Sequence, residues 1–339
     1  MLGASVAPAA RVSTAAFRPS LRRLFYFFLG STKAALRAGL VLLRSPRGRL
    51  PLVFPFMLRL AIQKSGRLSE DSLALIRECG IHFLSTSYKL KTEATNFPLE
   101  ILFLRDDDIP GYVKDGVADL GIVGQNVLVE AGYPNLEVEP LGFSKCRLSL
   151  AVPRADAYAS VVSLQGKNIA TSYPNILGRY LAENGVQAHL HTISGSVEIA
   201  PSIGLAEAIC DIVSSGSTLL GNGLREVETV FRSEAVLIAQ PRLSAAQTDL
   251  LDQLRFRMQA VRRARRSKYI VLNAPVTALD EVRRLLPGIK SPTVTPLAEA
   301  GWVSVQSVVQ EDEFWHITSQ LKAVGAEGIL VLPIEKMIA

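Results

Sequence analysis

From Leu58 onward, short apolar runs alternate with amphipathic stretches, and many of the runs end in a small turn that contains glycine. A chain with that rhythm buries its runs between layers of helix, which confines it to α/β architectures. LRLAIQ (58–63) reads as a strand, KSGR as a turn and LSEDSLALIRECG as a helix closed by Gly80. Leu68, Ser72, Leu75, Ile76 and Cys79 fall near one face of that helix. LEILFL (99–104) is a second strand, running into RDDDIPGYVKDG, where Pro110 suits a first helical turn. VADLGIVGQ reads as a strand ending in glycine. RLSLAVP (147–153) and GKNIATSYP (166–174) add strands, the second leading into a helix over 175–184. LHTIS, ICDIVS and AVLIAQ complete a series that predicts largely parallel sheets.

Two stretches resemble each other: GVADLGIVGQ (116–125) and AICDIVSSGS (208–217). Each is an apolar strand with an Asp and a glycine turn at its carboxyl end, where open parallel sheets bind ligands. Two such turns facing one another make a cleft between two lobes. DLLDQLRFRMQAVRRARRSK (249–268) predicts a helix whose basic end is either a solvated C-terminus or an anion site. From Tyr269 the order strand, helix, strand, strand, helix, strand follows the ferredoxin-like plan, which suits a regulatory or oligomerising unit.

Charge is unevenly spread. Residues 1–57 hold eight Arg, one Lys and no acid, whereas the rest of the chain has 28 basic against 31 acidic residues. The body therefore lacks the electrostatic footprint of a nucleic-acid binder. The extension resembles a transit peptide in composition, and its apolar pieces fall short of the ~18 residues of a membrane span. Ordinary globular pattern begins at Met57, so residues 1–56 read as a dispensable leader or an upstream start, expected to be disordered. Cys79, Cys146 and Cys210 are odd in number and far apart, which fits core thiols in a reducing compartment.

Four segments can carry chemistry. In DIVSSGSTLLGNGL (211–224) the small residues Ser214, Ser215, Gly216, Ser217 and Thr218 allow backbone amides to converge on an anion, unless they form a plain turn. Asp211 beside them can accept from sugar hydroxyls. In QKSGR, Lys64 and Arg67 flank Ser65-Gly66 at a helix start and offer two cations to a polyphosphate, or to water. Asp106, Asp107 and Asp108 are either capping acids or water-mediated partners of Mg²⁺. In ATSYPNIL, Thr171 and Ser172 precede a helix, and Tyr173 either stacks on a base or packs in the core. No Ser/His/Asp or Cys/His arrangement is legible, so catalysis by positioning and electrostatics remains.

The ordered set MLRLAIQKSGRLSEDSLALIRECGI, RDDDIPGYVKDGVADLGIVGQNVL, CRLSLAVP, IATSYPNIL, GSVEIAP, CDIVSSGSTLLGNGLREVE and ILVLPIEKM resembles the long-form ATP phosphoribosyltransferase family, from Met57 to the C-terminus. The resemblance implies a two-lobed catalytic core like a type II periplasmic binding protein, plus a C-terminal ferredoxin-like regulatory domain. It implies lobe one over 58–147 and 241–267, lobe two over 148–240 and the regulatory domain over 268–339. The implied reaction joins N1 of ATP's adenine to the anomeric carbon of 5-phosphoribosyl 1-pyrophosphate, with Mg²⁺ held mainly by substrate phosphates. This is the first step of histidine biosynthesis, inhibited by histidine, in a cytoplasmic dimer or hexamer. An organelle is the alternative location if residues 1–56 are a transit peptide.

Carried over by residue, the resemblance implies that Asp211, Ser214, Ser215, Gly216, Ser217, Thr218 and Leu219 hold the ribose and 5-phosphate, with Glu198 near the ribose hydroxyls. Lys64 and Arg67 meet the pyrophosphate or triphosphate; Gly66, Asp107, Asp108, Gly124 and Tyr173 line the nucleotide side. Ser291 and Thr293 are the implied histidine contacts, and Asn273 is a poor one. Some relatives carry Arg where Tyr88 or Lys89 stands, which leaves the roles of Lys89 and Lys91 open. The competing reading is a two-lobed small-molecule binding or effector-sensing protein without catalysis.

Overall fold

The computed structural model describes residues 56–84 and 90–338, together with residues 41–42 and 52–53. The chain divides into two units, residues 1–56 and 57–339. In the first, β1 (Val41–Leu42) pairs antiparallel with β2 (Leu52–Val53). The remaining expectations for residues 1–56, and those for Tyr88 and Lys89, lie outside the described residues.

The second unit begins with β3 (Leu58–Gln63), α1 (Arg67–Glu78), β4 (Lys91–Glu93), β5 (Leu99–Leu104), α2 (Ile109–Lys114), β6 (Leu120–Gly124), α3 (Gln125–Glu130) and β7 (Glu137–Pro140). Then come β8 (Cys146–Pro153), β9 (Asn168–Thr171), α4 (Pro174–Glu183), β10 (His189–Thr192), β11 (Ala208–Val213), α5 (Ser217–Gly221) and β12 (Leu224–Ser233). The chain continues through β13 (Ala235–Ala239), α6 (Ala245–Arg265), β14 (Ser267–Pro275), α7 (Leu279–Leu285), β15 (Thr293–Pro296), β16 (Trp302–Gln310), α8 (Phe314–Ala323) and β17 (Glu327–Pro333).

These strands form three sheets, ordered β4-β5-β3-β6-β13-β7, β10-β9-β11-β8-β12 and β15-β16-β14-β17. The first two share one plan. In each, a first strand (β3, β9) lies between a second (β5, β10) and a third (β6, β11), all parallel. A strand arriving from the other sheet follows (β13, β8), and then a fourth (β7, β12), both antiparallel. Two lobes so built are the core of a type II periplasmic-binding-protein-like fold. The third sheet has the ferredoxin-like order and is antiparallel throughout.

The expectation of largely parallel sheets needs correction, since three of the five strand pairs in lobe one and two of the four in lobe two are antiparallel. Boundaries shift as well. Ala235–Ala239, expected in lobe two, pairs with β6 in the first sheet, and Cys146 and Arg147 begin β8 of the second. The ten-residue β12 escapes the alternation test because bulges at Glu226/Glu228 and Thr229/Phe231 break its period of two. α6 begins at Ala245, earlier than its apolar pattern, because Ser244 and Gln247 form a capping box.

Each lobe sheet is covered on both faces. In lobe one, Leu60, Ile62, Leu75, Ile76, Leu254 and Met258 make the core under α1 and α6. On the opposite face, Ala61, Ile109, Val113, Val123, Val127 and Leu128 pack under α2 and α3. In lobe two, Leu150, Ile169, Leu177, Leu181 and Cys210 pack under α4, and Ile209, Val213 and Leu219 lie on the other side. Cys79 and Cys210 are buried, and burial pushes the Cys79 thiol up to about 12, so neither is a ready nucleophile.

Asp119 joins these layers. It is fully buried at the amino end of β6, away from the strand ends that bear the small turns. Its carboxylate accepts from the Arg59 amide (2.8 Å), Gln240 Nε2 (2.9 Å) and Gln247 Nε2 (2.9 Å). It thereby ties β3, β6, the end of β13 and α6 through one group. Asp119→Ala leaves those donors unpaired and is expected to lower stability by about 2–3 kcal/mol, measured by urea unfolding; a loss within error would show that the cluster adds nothing.

Candidate functional site

The shared plan of the two lobes collects the singled-out residues at one kind of place, the carboxyl ends of the first three strands. In lobe one Lys64–Gly66 follow β3, Asp106–Asp108 follow β5 and Gly124 ends β6. In lobe two Ser172 and Tyr173 follow β9, Glu198 lies in the short helix after β10, and Ser214–Gly216 follow β11. The two similar sequence stretches are thus third strands of equivalent sheets. Their aspartates are not equivalent, however. Asp211 lies toward the carboxyl end of β11, at a height matching Gly124, whereas Asp119 is at the far end of β6.

Strand one and strand three of each lobe lead into helices, so four helix N-termini point toward this region. Two of them are plugged by protein. At α4 the Glu130 carboxylate accepts from the amides of Asn175 (2.8 Å) and Ile176 (2.9 Å). At α3 the Gln125 amide donates to the Glu234 carbonyl (3.0 Å) and the Asn126 amide to Ser233 Oγ (3.0 Å). The other two are open. α1 has no side-chain cap, and its first internal bond is from the Glu70 amide to the Gly66 carbonyl. α5 has none either, and the amides of Thr218 and Leu219 find no protein acceptor among the described residues.

Glycine makes both open ends possible. Gly66 has φ 93° and ψ 177°, a region closed to side-chain-bearing residues, and Gly216 is left-handed at φ 81°. Space is not the limit at Gly216, since an added Cβ would meet only Val213 Cγ1, at 3.9 Å. The requirement is conformational: the positive φ turns the chain so that the following amides face outward together. Around them Ser214, Ser215, Ser217 and Thr218 are exposed, Ser215 and Ser217 hydroxyls share a hydrogen bond of 3.0 Å, and Leu219 anchors the turn in the core. Lys64 and Arg67 are exposed and form no ion pair with any described residue.

Between the open ends the electrostatics are acidic. Burial pushes the Asp211 carboxyl above the usual range, opposed by the Ile212 amide and reinforced by the charge of Glu198. Asp107 is raised by partial burial and then by Asp106 and Asp108. Tyr173 is half-buried; burial raises its phenol, followed by the charge of Asp211, while Asn126 opposes the rise and the charges of Asp106 and Asp107 add to it from the other lobe. These three couplings bring Asp106, Asp107 and Asn126 of lobe one into one region with Tyr173 and Asp211 of lobe two. The described residues contain no group of three or more His, Cys, Asp or Glu arranged to hold a metal by themselves. A cation here fits only with anions from a ligand completing its shell.

Several site-shaping residues carry no local signal in sequence. Glu130, Ser233 and Asn126 act across the lobe boundary, and Ser233 Oγ also donates to Asn126 Oδ1 at 2.7 Å. Arg147, paired with Glu226, donates to the Ser214 carbonyl at 3.2 Å and steadies the loop from its side. Gly124 has a structural reason of its own: a Cβ there would fall 2.5 Å from Asn126 Oδ1. Ser291 and Thr293 are exposed on and beside the edge strand β15 of the third sheet, distant in topology from the two lobes' strand ends. Asn273 lies in β14, where Gly328 approaches its side chain.

Each of the two lobes thus presents one uncapped helix start behind a glycine turn. Comparison with known proteins makes the class specific. The family model for ATP phosphoribosyltransferase matches residues 105–260, and that for the family's C-terminal domain matches 264–336. The ATP phosphoribosyltransferase of Cytophaga hutchinsonii is 64% identical over 282 residues, covering 83% of this chain and 99% of that one. That of Bacteroides fragilis is 55% identical over 282 residues, covering 83% of this chain and all of the relative. Among solved structures, the ATP phosphoribosyl transferase (HisG:HisZ) complex from Thermotoga maritima matches with TM-score 0.52 and 29% identity, over 60% of this chain and 99% of that one. The chain belongs to the ATP phosphoribosyltransferase family, in its long form with the C-terminal domain.

Two outcomes test this geometry. Glu130→Ala uncaps α4 and should cost about 1–2 kcal/mol, with faster hydrogen exchange at the amides of Asn175 and Ile176; unchanged exchange there would contradict the capping role. Asp211→Asn retains the acceptor for the Ile212 amide but removes a carboxylate that burial disfavours. A raised carboxyl makes the native state bind its proton more tightly, so stability falls as pH rises from the ordinary carboxylate range through the raised value. The variant should therefore melt above the wild type at neutral pH, with the gap closing below pH ~4; a lower melting temperature would count against burial as the cause.

Proposed function

We propose that the chain catalyses attack of adenine N1 of ATP on the anomeric carbon of 5-phosphoribosyl 1-pyrophosphate, forming 1-(5-phosphoribosyl)-ATP and releasing pyrophosphate. The observation that carries this reading is the division of the four helix N-termini into two capped and two open, one open end in each lobe. A sugar with a phosphate at one end and a pyrophosphate at the other matches two anion sites across a cleft. The Ser214–Thr218 turn takes the 5-phosphate on its free amides and hydroxyls. Asp211 and Glu198 accept from the ribose hydroxyls.

Lys64 and Arg67, with the open start of α1, take the pyrophosphate. As the bond from the anomeric carbon to pyrophosphate lengthens, positive charge grows on the ribose ring and negative charge on the leaving group. The cations at the α1 end stabilise the latter, and the half-buried Asp211 carboxylate stabilises the former. Mg²⁺ held mainly by the substrate phosphates would supply further neutralisation of the leaving group, and Asp106–Asp108 are the residues that would meet it through water. Tyr173 and Gly124 border the adenine side. N1 of adenine carries no proton to remove, so alignment of the two substrates does the remaining work, worth ~7–11 kcal/mol of barrier when geometry is held.

The C-terminal unit takes the regulatory role, with histidine meeting it near Ser291 and Thr293. One face of its sheet is uncovered: Leu330 is 61% and Leu332 45% exposed, as suits contact between subunits of a homo-oligomer. Three free thiols suit a reducing compartment, the cytoplasm.

Purified protein supplied with Mg²⁺, ATP and phosphoribosyl pyrophosphate should release pyrophosphate only when both substrates are present. Release with phosphoribosyl pyrophosphate alone, or none with both while the fold is intact, would refute the reading. Gly216→Val forbids the left-handed turn and removes at least two amide donors, so kcat/KM should fall by roughly 100-fold or more. Unchanged kinetics in that variant would remove the turn from the site.

A further inference from the structure

The basic end of α6 reads from sequence as a solvated C-terminus, yet its arginines divide by direction. Arg265 turns to Glu78 and makes two hydrogen bonds of 2.8 Å. Gln259, Arg262, Arg263 and Arg266, spaced by three and four residues along the end of the helix, line a separate cavity of about 210 Å³. Gly142, in the segment that crosses from lobe one to lobe two, closes its side. A Cβ placed there would lie 3.4 Å from Arg266 Nη2 and 3.9 Å from both Arg262 Nε and Nη2.

Arg262 and Arg266 thus converge, with Arg263 lining the same cavity, and among the described residues none of the three has a counter-ion. Every Asp and Glu of the chain lies among the described residues, and none comes within ion-pair distance of Arg262, Arg263 or Arg266. Glu139 is the carboxylate at the border: its Oε2 accepts from Gln259 Nε2 at 2.8 Å and lies 3.5 Å from Arg255 Nε, while its Oε1 is buried without a partner. Arg262 Nε is buried with no partner. The helix end offsets only about half a charge, so it does not balance three cations. The cavity is well below the ~300 Å³ of a usual organic-ligand pocket, and planar guanidinium forks match phosphate oxygens.

We propose that Gln259, Arg262, Arg263 and Arg266, with Gly142, form a second anion site that takes a small phosphate-bearing ion, separate from the turns at the lobe interface. An ion held there bridges α6 to the crossover segment, whose Leu141 amide is bonded to the Ala235 carbonyl of the return crossover at 2.8 Å. Its occupancy therefore bears on the connection between lobes and not on the reacting atoms.

Isothermal titration of the full chain with inorganic phosphate at low ionic strength tests this. Arg262→Gln and Arg266→Gln should each weaken phosphate binding about tenfold, while Arg265→Gln, on the Glu78 side, should change it by about twofold or less. Gly216→Val should leave this binding in place, and Arg266→Lys should restore part of the loss as a check that the pocket is still folded. Phosphate binding that is lost in Gly216→Val and unchanged in the two Gln variants would assign the ion to the lobe turn and overturn the proposal. Absence of any phosphate heat in the wild type would overturn it as well.

Discussion

Everything in the catalytic core depends on two strands that change sheets side by side. β8 leaves lobe one for the second sheet and β13 leaves lobe two for the first. Their connections run antiparallel, with the Leu141 amide bonded to the Ala235 carbonyl and the Ala235 amide to the Phe143 carbonyl. Because each sheet is completed by a strand from the other half of the chain, neither lobe is built without the other. The crossover also fixes how the lobes face. Ser144, at a positive φ of 48°, directs its hydroxyl to Asp71 of α1, and Ser233 meets Asn126 of α3. Strain at such a position is held by its surroundings.

That constraint decides which helix ends are available to a ligand. α3 and α4 lie against the crossover and the opposite lobe, and their first amides are consumed by Ser233, Glu234 and Glu130. α1 meets the crossover only beyond its first turn, at Asp71, so that α1 and α5 keep their first amides, and both are preceded by glycines with conformations that other residues avoid. The same arrangement sets carboxylates of both lobes around Tyr173, where burial disfavours their charge. A region that holds raised carboxyls beside unfilled amide donors is less stable empty than it would be with apolar packing, a pattern common at functional sites.

Much of the architecture was legible because α/β segments carry their own periodicity. The apolar face of α1 and the strand–helix order of the C-terminal unit follow directly from side-chain spacing. Three antiparallel strands did not, since β12 is bulged and β4 and β7 are short; periodicity says nothing of direction in any case. At the site, the turns at Gly66 and Gly216 were visible through their small residues and glycines, and the family resemblance assigned them roles. Composition alone left the turn after β11 between a plain loop and a cradle; unpaired amides at Thr218 and Leu219 are what favour the cradle. Glu130, Ser233 and Arg147 were invisible, because each acts on a residue 45 to 107 positions away. The similar aspartates Asp119 and Asp211 misled, one being a buried structural acceptor and the other a residue of the cleft.

The central claim is the orientation of the phosphoribosyl pyrophosphate between two open helix ends. A crystal structure of the protein with that ligand measures it directly. The 5-phosphate should lie within hydrogen-bonding distance of the Gly216–Leu219 amides, with the pyrophosphate toward Lys64 and Arg67. A ligand seated the other way round, or one whose phosphates displace Glu130 from the start of α4, would contradict the account.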